Sequence, residues 1–135
     1  MAVAENNVSI AVVVLAMHRY EKLKNTIEYL RKQTRVLDEI IVVFQGKDKK
    51  IRRWLEDQDN LTLKIQDNLG SSGGFSTGMQ VAIAHGHDWV WVTDDDAFPE
   101  QVTLQKMVST KYFNDEATGL LSCVVVDADK NVYMS

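Results

Sequence analysis

At 135 residues, with 45% hydrophobic and 25% charged side chains, the chain has the length of one domain and enough apolar material for a core. A net charge of −4 and a pI near 5.3 exclude the basic footprint of a nucleic-acid binder. The single cysteine, Cys123, excludes an internal disulfide. It sits in the apolar run 120–126 and reads as a buried small hydrophobe, in keeping with a reducing compartment.

Residues 8–17 are apolar apart from Ser9. They lack the basic segment before and the cleavage pattern after that a signal peptide requires, and they are too short to span a bilayer. The run reads as a strand over 8–16, buried on both faces. No transmembrane segment is expected. Tyr20, Leu23, Ile27 and Leu30 then fall at helical spacing, which predicts a helix over 20–33. A strand is expected over 39–44, closed by Gly46. A helix over 49–58 carries Ile51, Trp54 and Leu55 on one side. Its Lys49, Lys50, Arg52 and Arg53 read as a solvated face.

A short strand is expected over 61–65, followed by a Gly- and Ser-rich loop over 68–78 that enters a helix. That helix carries Phe75, Met79, Ala82 and Ile83 on one side, with Gly86 as its left-handed cap. A fourth strand covers 89–93. Pro99 suits the first turn of a helix over 99–110. A fifth strand is expected over 119–126, a turn over 127–131 and a hairpin return over 132–134. Strands alternate with helices, which predicts an α/β fold: an open, mostly parallel sheet with helices on both faces. Ligands of such sheets bind at the carboxyl ends of the strands. Arg19, Gln45, Asn68 and the run Asp94-Asp95-Asp96 all fall there.

Three consecutive carboxylates repel one another, and a divalent cation relieves the conflict. Mg²⁺ and Mn²⁺ take carboxylate oxygens and complete their shells with substrate phosphates. Alternation at a strand end puts Asp94 and Asp96 on one side and Asp95 on another. A solvated acidic turn that caps the next helix is the plainer alternative. The segment Asn68-Leu69-Gly70-Ser71-Ser72-Gly73-Gly74 has the small residues of an anion-binding bend. It is not a P-loop, because Met79 stands where Lys is needed, and it is not a dinucleotide fingerprint. His85 and His87, near a helix end, read as capping or packing residues rather than metal ligands, and His18 is given no catalytic role. An Asp-x-Asp after an apolar strand also resembles phosphatases of the haloacid dehalogenase type. There, however, the strand is normally the first, and Phe98 stands where Thr or Val is wanted.

Taken together, Asn68-Leu69-Gly70, Gly73-Gly74-Phe75, Gly78, Asp88-Trp89-Val90-Trp91, Asp94-Asp95-Asp96 and Pro99 resemble family-2 glycosyltransferases of the GT-A, Rossmann-like fold. The rhamnosyl- and galactofuranosyltransferase branch is the nearest in pattern, and the resemblance covers nearly the whole chain. It implies that Asp94 and Asp96 hold Mn²⁺ or Mg²⁺ against the donor diphosphate and that Asp95 faces the donor ribose or sugar. It also implies that Arg19, Asn68 and Gln45 lie beside the nucleotide. Phe44-Gln45 stand where many relatives have Asp-Asn, and Gln45 is expected to take over the Asp's contact with the base.

The implied reaction is inverting transfer of a sugar from a UDP- or dTDP-sugar to a glycan or lipid-linked acceptor, in polysaccharide or cell-surface glycan synthesis. The implied setting is the cytoplasm, or peripherally the inner membrane face. Residues 1–135 then correspond to the donor-binding half, with the acceptor half and the general base expected downstream. No catalytic residue is assigned within the chain, which alone is expected to be inactive and prone to self-association. A non-catalytic nucleotide-binding module and a metal-dependent phosphatase are the alternatives.

Overall fold

A computed structural model describes residues 8–122, 125–126, 129 and 132–133. The main sheet has four strands: β1 (Ile10–Ala16), β2 (Glu39–Phe44), β3 (Thr62–Ile65) and β4 (Trp89–Asp94). Their order is β3-β2-β1-β4, and every pair is parallel. β1 is fully buried along its length because it is flanked by β2 and β4 and covered on both faces. A strand in that position has no polar face to offer, which is why its sequence reads as a continuous apolar run.

The two faces separate cleanly by alternation. Val12, Val14 and Ala16 of β1, with Ile40, Val42 and Phe44 of β2, point to one side. There they meet Leu23, Ile27 and Leu30 of α1 (Tyr20–Arg31) and Ile51 and Leu55 of α2 (Lys49–Glu56). Each such side chain contributes about 1.5–3 kcal/mol through burial. Asp48 starts α2 by accepting hydrogen bonds from the backbone N–H groups of Lys50 and Ile51. Ala11, Val13, Leu15, Ile41 and Val43 point to the other side and meet α3 (Gly70–Ala84). The expected α/β sheet with helices on both faces is therefore present.

The glycine-rich stretch differs from expectation. From Gly70 onward it is helix rather than loop. Glycine disfavours a helix by about 1 kcal/mol per residue, so packing must supply the reason. A Cβ on Gly78 would lie 2.2 Å from Val13 Cγ1, and one on Gly74 would lie 2.3 Å from Leu15 Cδ1. The buried face of α3 is Gly74, Gly78 and Ala82, and the helix backbone lies directly against β1. Met79 and Ile83, expected inside, are 42% and 68% exposed. Gly86 does cap α3 in the left-handed region (φ +83°). Its N–H donates to Ile83 O and that of His87 to Ala82 O, the paired bonds of a glycine cap.

Two further expectations are corrected. Pro99 lies before the helix rather than in it: α4 spans Thr103–Val108. Gln33, nearly buried, accepts from the backbone N–H of Leu104, and Leu104, Val108 and Phe113 close a third apolar cluster with Ile10. The fifth strand does not extend over residues 119–122. β5 is the short segment Val125–Val126, paired antiparallel with β6 (Val132–Tyr133) in a separate two-stranded sheet. Cys123 and most of the expected turn over 127–131 lie outside the described residues.

Candidate functional site

The carboxyl ends of β1, β2 and β4 and the start of α3 meet on one side of the molecule. The β1–α1 and β2–α2 turns are in contact, since a Cβ on Gly46 would fall 2.0 Å from the carbonyl oxygen of Met17. Only glycine permits that approach. Arg19 precedes α1, and its guanidinium reaches across to the end of β4. It pairs with Asp95 Oδ1 at 3.0 Å and Asp96 Oδ2 at 2.6 Å.

The three aspartates have three different environments. Asp95 is 2% exposed and turned inward. Its carbonyl oxygen accepts a 2.8 Å bond from Thr26 Oγ1, which pins the end of β4 to α1. Burial pushes the Asp95 carboxyl above its ordinary pKa and the neighbouring Asp96 adds to this. Arg19 and the Met17 backbone act in the opposite sense but do not cancel it. Asp96 is half-buried and shares Arg19. Asp94 is exposed, and its carboxylate bonds no described residue. Asp95 is thus inside and Asp94 open to solvent, while Asp96 shares Arg19 with Asp95.

These residues fit a hard divalent cation. Asp94 and the free oxygen of Asp96 are carboxylate donors at the surface, suited to Mg²⁺ or Mn²⁺. The three carboxylates are not gathered into a ready-made cage; among the described residues only Glu39, His85 and His87 converge in that way. Such an open arrangement suits an ion that shares its shell with a phosphate-bearing ligand.

Gln45 is 2% exposed and spends both polar ends inside the protein. Its Nε2 donates to Gly70 O at 3.1 Å and more weakly to Asn68 Oδ1 at 3.4 Å. Its Oε1 accepts from Gln66 Nε2 at 2.7 Å and from the Leu69 N–H at 3.3 Å. Thr77 Oγ1 donates in turn to Gln66 Oε1. This network ties the ends of β2 and β3 to the entry of α3. Asn68 is exposed and also accepts from the Gly70 N–H, while its Nδ2 bonds no described residue. Sequence reasoning missed Gln66 and Thr77. The available signal was that Gln66 directly follows β3, at the same strand-end level as Gln45.

The model of the family "Glycosyl transferase family 2" matches residues 11–134, which includes every residue of this site. The chain belongs to glycosyl transferase family 2. Among curated proteins it is 35% identical over 97 residues to galactofuranosyltransferase GlfT1 of Mycolicibacterium smegmatis, covering 70% of this chain and 32% of that protein. It is 39% identical over 92 residues to GlfT1 of Mycobacterium tuberculosis, covering 65% of this chain and 30% of that protein. It is also 30% identical over 124 residues to the glucosyl-dolichyl phosphate glucuronosyltransferase of Haloferax volcanii, covering 89% of this chain and 39% of that one.

In structure it is similar to a mannosyltransferase of Pyrobaculum calidifontis solved with GDP-Man and Mn²⁺. The TM-score is 0.56 at 22% identity, over 76% of this chain and 33% of that one. The GT-A fold is thereby shared, and the phosphatase alternative is set aside. The chain spans about a third of the length of these relatives. Among the described residues, no helix is long and apolar enough to cross a membrane.

Proposed function

We propose that residues 1–135 are the donor-binding half of an inverting glycosyltransferase that moves a sugar from a nucleoside diphosphate carrier to a glycan or lipid-linked hydroxyl. The observation that carries this reading is the aspartate run at the end of β4, with Asp94 open and Asp95 and Asp96 braced by Arg19, in a chain of this family. Asp94 and Asp96 are the residues that would hold Mn²⁺ or Mg²⁺, which when bound neutralises the leaving diphosphate. Arg19 serves twice. It compensates the buried Asp95, and it supplies positive charge beside a phosphate-bearing ligand.

Asn68, with its Nδ2 free, contacts the nucleotide, and Asp95 sets the floor under the ribose or sugar. Gln45 acts by positioning: its buried bonds hold Asn68 and the start of α3, whose N-terminal N–H groups favour anions. The chain spans about a third of its relatives' length, and the role assigned to it is donor binding. The work is assigned to the cytoplasm, against the membrane face where lipid-linked acceptors are presented, and to cell-surface glycan synthesis.

Calorimetry tests this reading. UDP, dTDP, GDP and ADP, followed by UDP-galactofuranose and GDP-mannose, are titrated with and without Mn²⁺. The expected result is Mn²⁺-dependent binding that favours UDP or dTDP. Binding of equal strength with and without metal, or preference for ADP, overturns it.

A further inference from the structure

We infer that Glu39, His85 and His87 form a second metal site, for a transition-metal dication such as Zn²⁺, at the amino end of the sheet. This site is separate from the aspartates. Glu39 opens β2 and His87 directly precedes Asp88 and β4, whereas Asp94 closes β4. At roughly 3.3 Å per residue, the length of β4 sets the two sites about 17 Å apart.

The geometry has a local cause. Gly86 ends α3 in the left-handed region, and this sharp cap turns the chain so that His85 and His87 both face the head of β2. His85 Nδ1 lies 2.9 and 3.0 Å from the two oxygens of Glu39, and His87 Nε2 lies 2.7 Å from Oε1. One ligand atom from each of the three residues falls within 4.8 Å of the other two. Two imidazole nitrogens and one carboxylate oxygen are the donors Zn²⁺ prefers, whereas Mg²⁺ and Ca²⁺ seek oxygen alone. An ion bonded at about 2.0–2.2 Å needs its donors about 3.3 Å apart, so the separations of His85 and His87 from Glu39 Oε1 open by about half an ångström. Half-exposed His85 leaves a fourth position to water.

The supporting contacts are also in place. His87 is 8% exposed, and its other nitrogen, Nδ1, meets Ser9 Oγ at 2.6 Å. Ser9 is itself fixed, because its N–H donates to Asp88 Oδ2 and its carbonyl accepts from the N–H groups of Asp88 and Trp89. Thr62 Oγ1 donates to Glu39 Oε2. Burial alone would raise the Glu39 carboxyl, but the bonds from Thr62, His85 and His87 outweigh it and keep the group anionic. With the metal on His87 Nε2 and His85 Nδ1, His87 Nδ1 would carry the ring N–H and donate a hydrogen bond to Ser9 Oγ. This is the outer-partner arrangement that orients metal-ligating histidines.

The test is a calorimetric titration of the 135-residue chain with Zn²⁺, repeated with Co²⁺ while visible absorption is recorded. The expected result is one saturable Zn²⁺ equivalent, a Co²⁺ spectrum of a four-coordinate site, and a raised Tm. His85→Asn, at an exposed position, and Glu39→Gln should each weaken binding by more than about tenfold. Ser9→Ala should weaken it by about tenfold. The Asp94→Asn, Asp96→Asn double variant should bind Zn²⁺ as before. No saturable binding, binding unaffected by both His85→Asn and Glu39→Gln, or binding lost in the aspartate variant each overturns the assignment.

Discussion

At the carboxyl end of the sheet the polar groups are carboxylates and a guanidinium; at the amino end they are two imidazoles closed around one carboxylate. Both ends draw on β2, α3 and β4, yet they are in opposite states of readiness. Glu39 already lies within hydrogen-bonding distance of both His85 and His87. Asp94 stands apart from Arg19, which pairs with its two neighbours. A preassembled set of donors can retain an ion by itself. A splayed set requires a ligand that brings its own oxygens, as a diphosphate does. The difference teaches that acidic density is a poor guide to where donors converge: the end with more carboxylates is the one whose donors stand apart.

Exchanging the chemistry of one end should leave the other untouched. The largest effect is expected from Asp94→Asn with Asp96→Asn. Mn²⁺-dependent nucleotide binding should fall about a hundredfold or more, beyond the cost of losing an outer partner, while the fold persists. Equal loss of nucleotide affinity in the presence and absence of Mn²⁺ would break the assignment of these two residues to the metal.

Gly78→Ala attacks the element common to both ends. Its new methyl would meet Val13 at 2.2 Å, so overpacking should cost about 1–3 kcal/mol. A fall in Tm together with weakened ligand binding at both ends is expected. A variant of unchanged Tm would show that α3 is not seated directly on β1.

Gln45→Ala should act at one end only. It leaves the Gln66 amide and the Leu69 N–H without their acceptor, at about 1–3 kcal/mol where water cannot replace it. Urea unfolding should show the loss, nucleotide affinity should drop and Zn²⁺ affinity should hold. If both affinities drop together, the amide network extends its influence further than the bonds described.

The smallest effect belongs to Asp48→Ala, which removes the cap of α2. About 1 kcal/mol of stability should disappear with no change in affinity at either end. A change in affinity at either end would implicate α2 in that site.

Much of this was legible in the sequence, for reasons that are local. Strand β2 was expected over the residues it occupies, because Glu39 and Gly46 bracket a β-branched run. The position of Arg19, Gln45, Asn68 and the aspartates at strand ends followed from alternation of strands and helices. Gly86 was readable as a cap because a left-handed residue after an apolar helix is nearly always glycine. What escaped depends on partners distant in the chain. Glycines at 74 and 78 argue against a helix until Leu15 and Val13 are seen beneath them. His85 finds Glu39 across 46 residues, and His87 finds Ser9 across 78. Nothing local to either histidine announces those meetings, and both read as packing residues. The fifth strand was drawn too long because an apolar run gives no sign of which neighbour it will pair with.

The bare contact between α3 and β1 carries one further consequence. Most helices rest on a sheet through side chains whose rotamers can readjust, so small errors in position are absorbed at the joint. At Gly74 and Gly78 there are no side chains on the helix to readjust, and the spacing is set by main chain against Leu15 and Val13. α3 therefore behaves as a stiff rod clamped near its middle, with the Asn68 turn at one tip and the His85–His87 turn at the other. A rod held at two points does not tilt about either, so a ligand drawn to one tip leaves the other where it is, and the two ends are mechanically insulated although a single helix joins them.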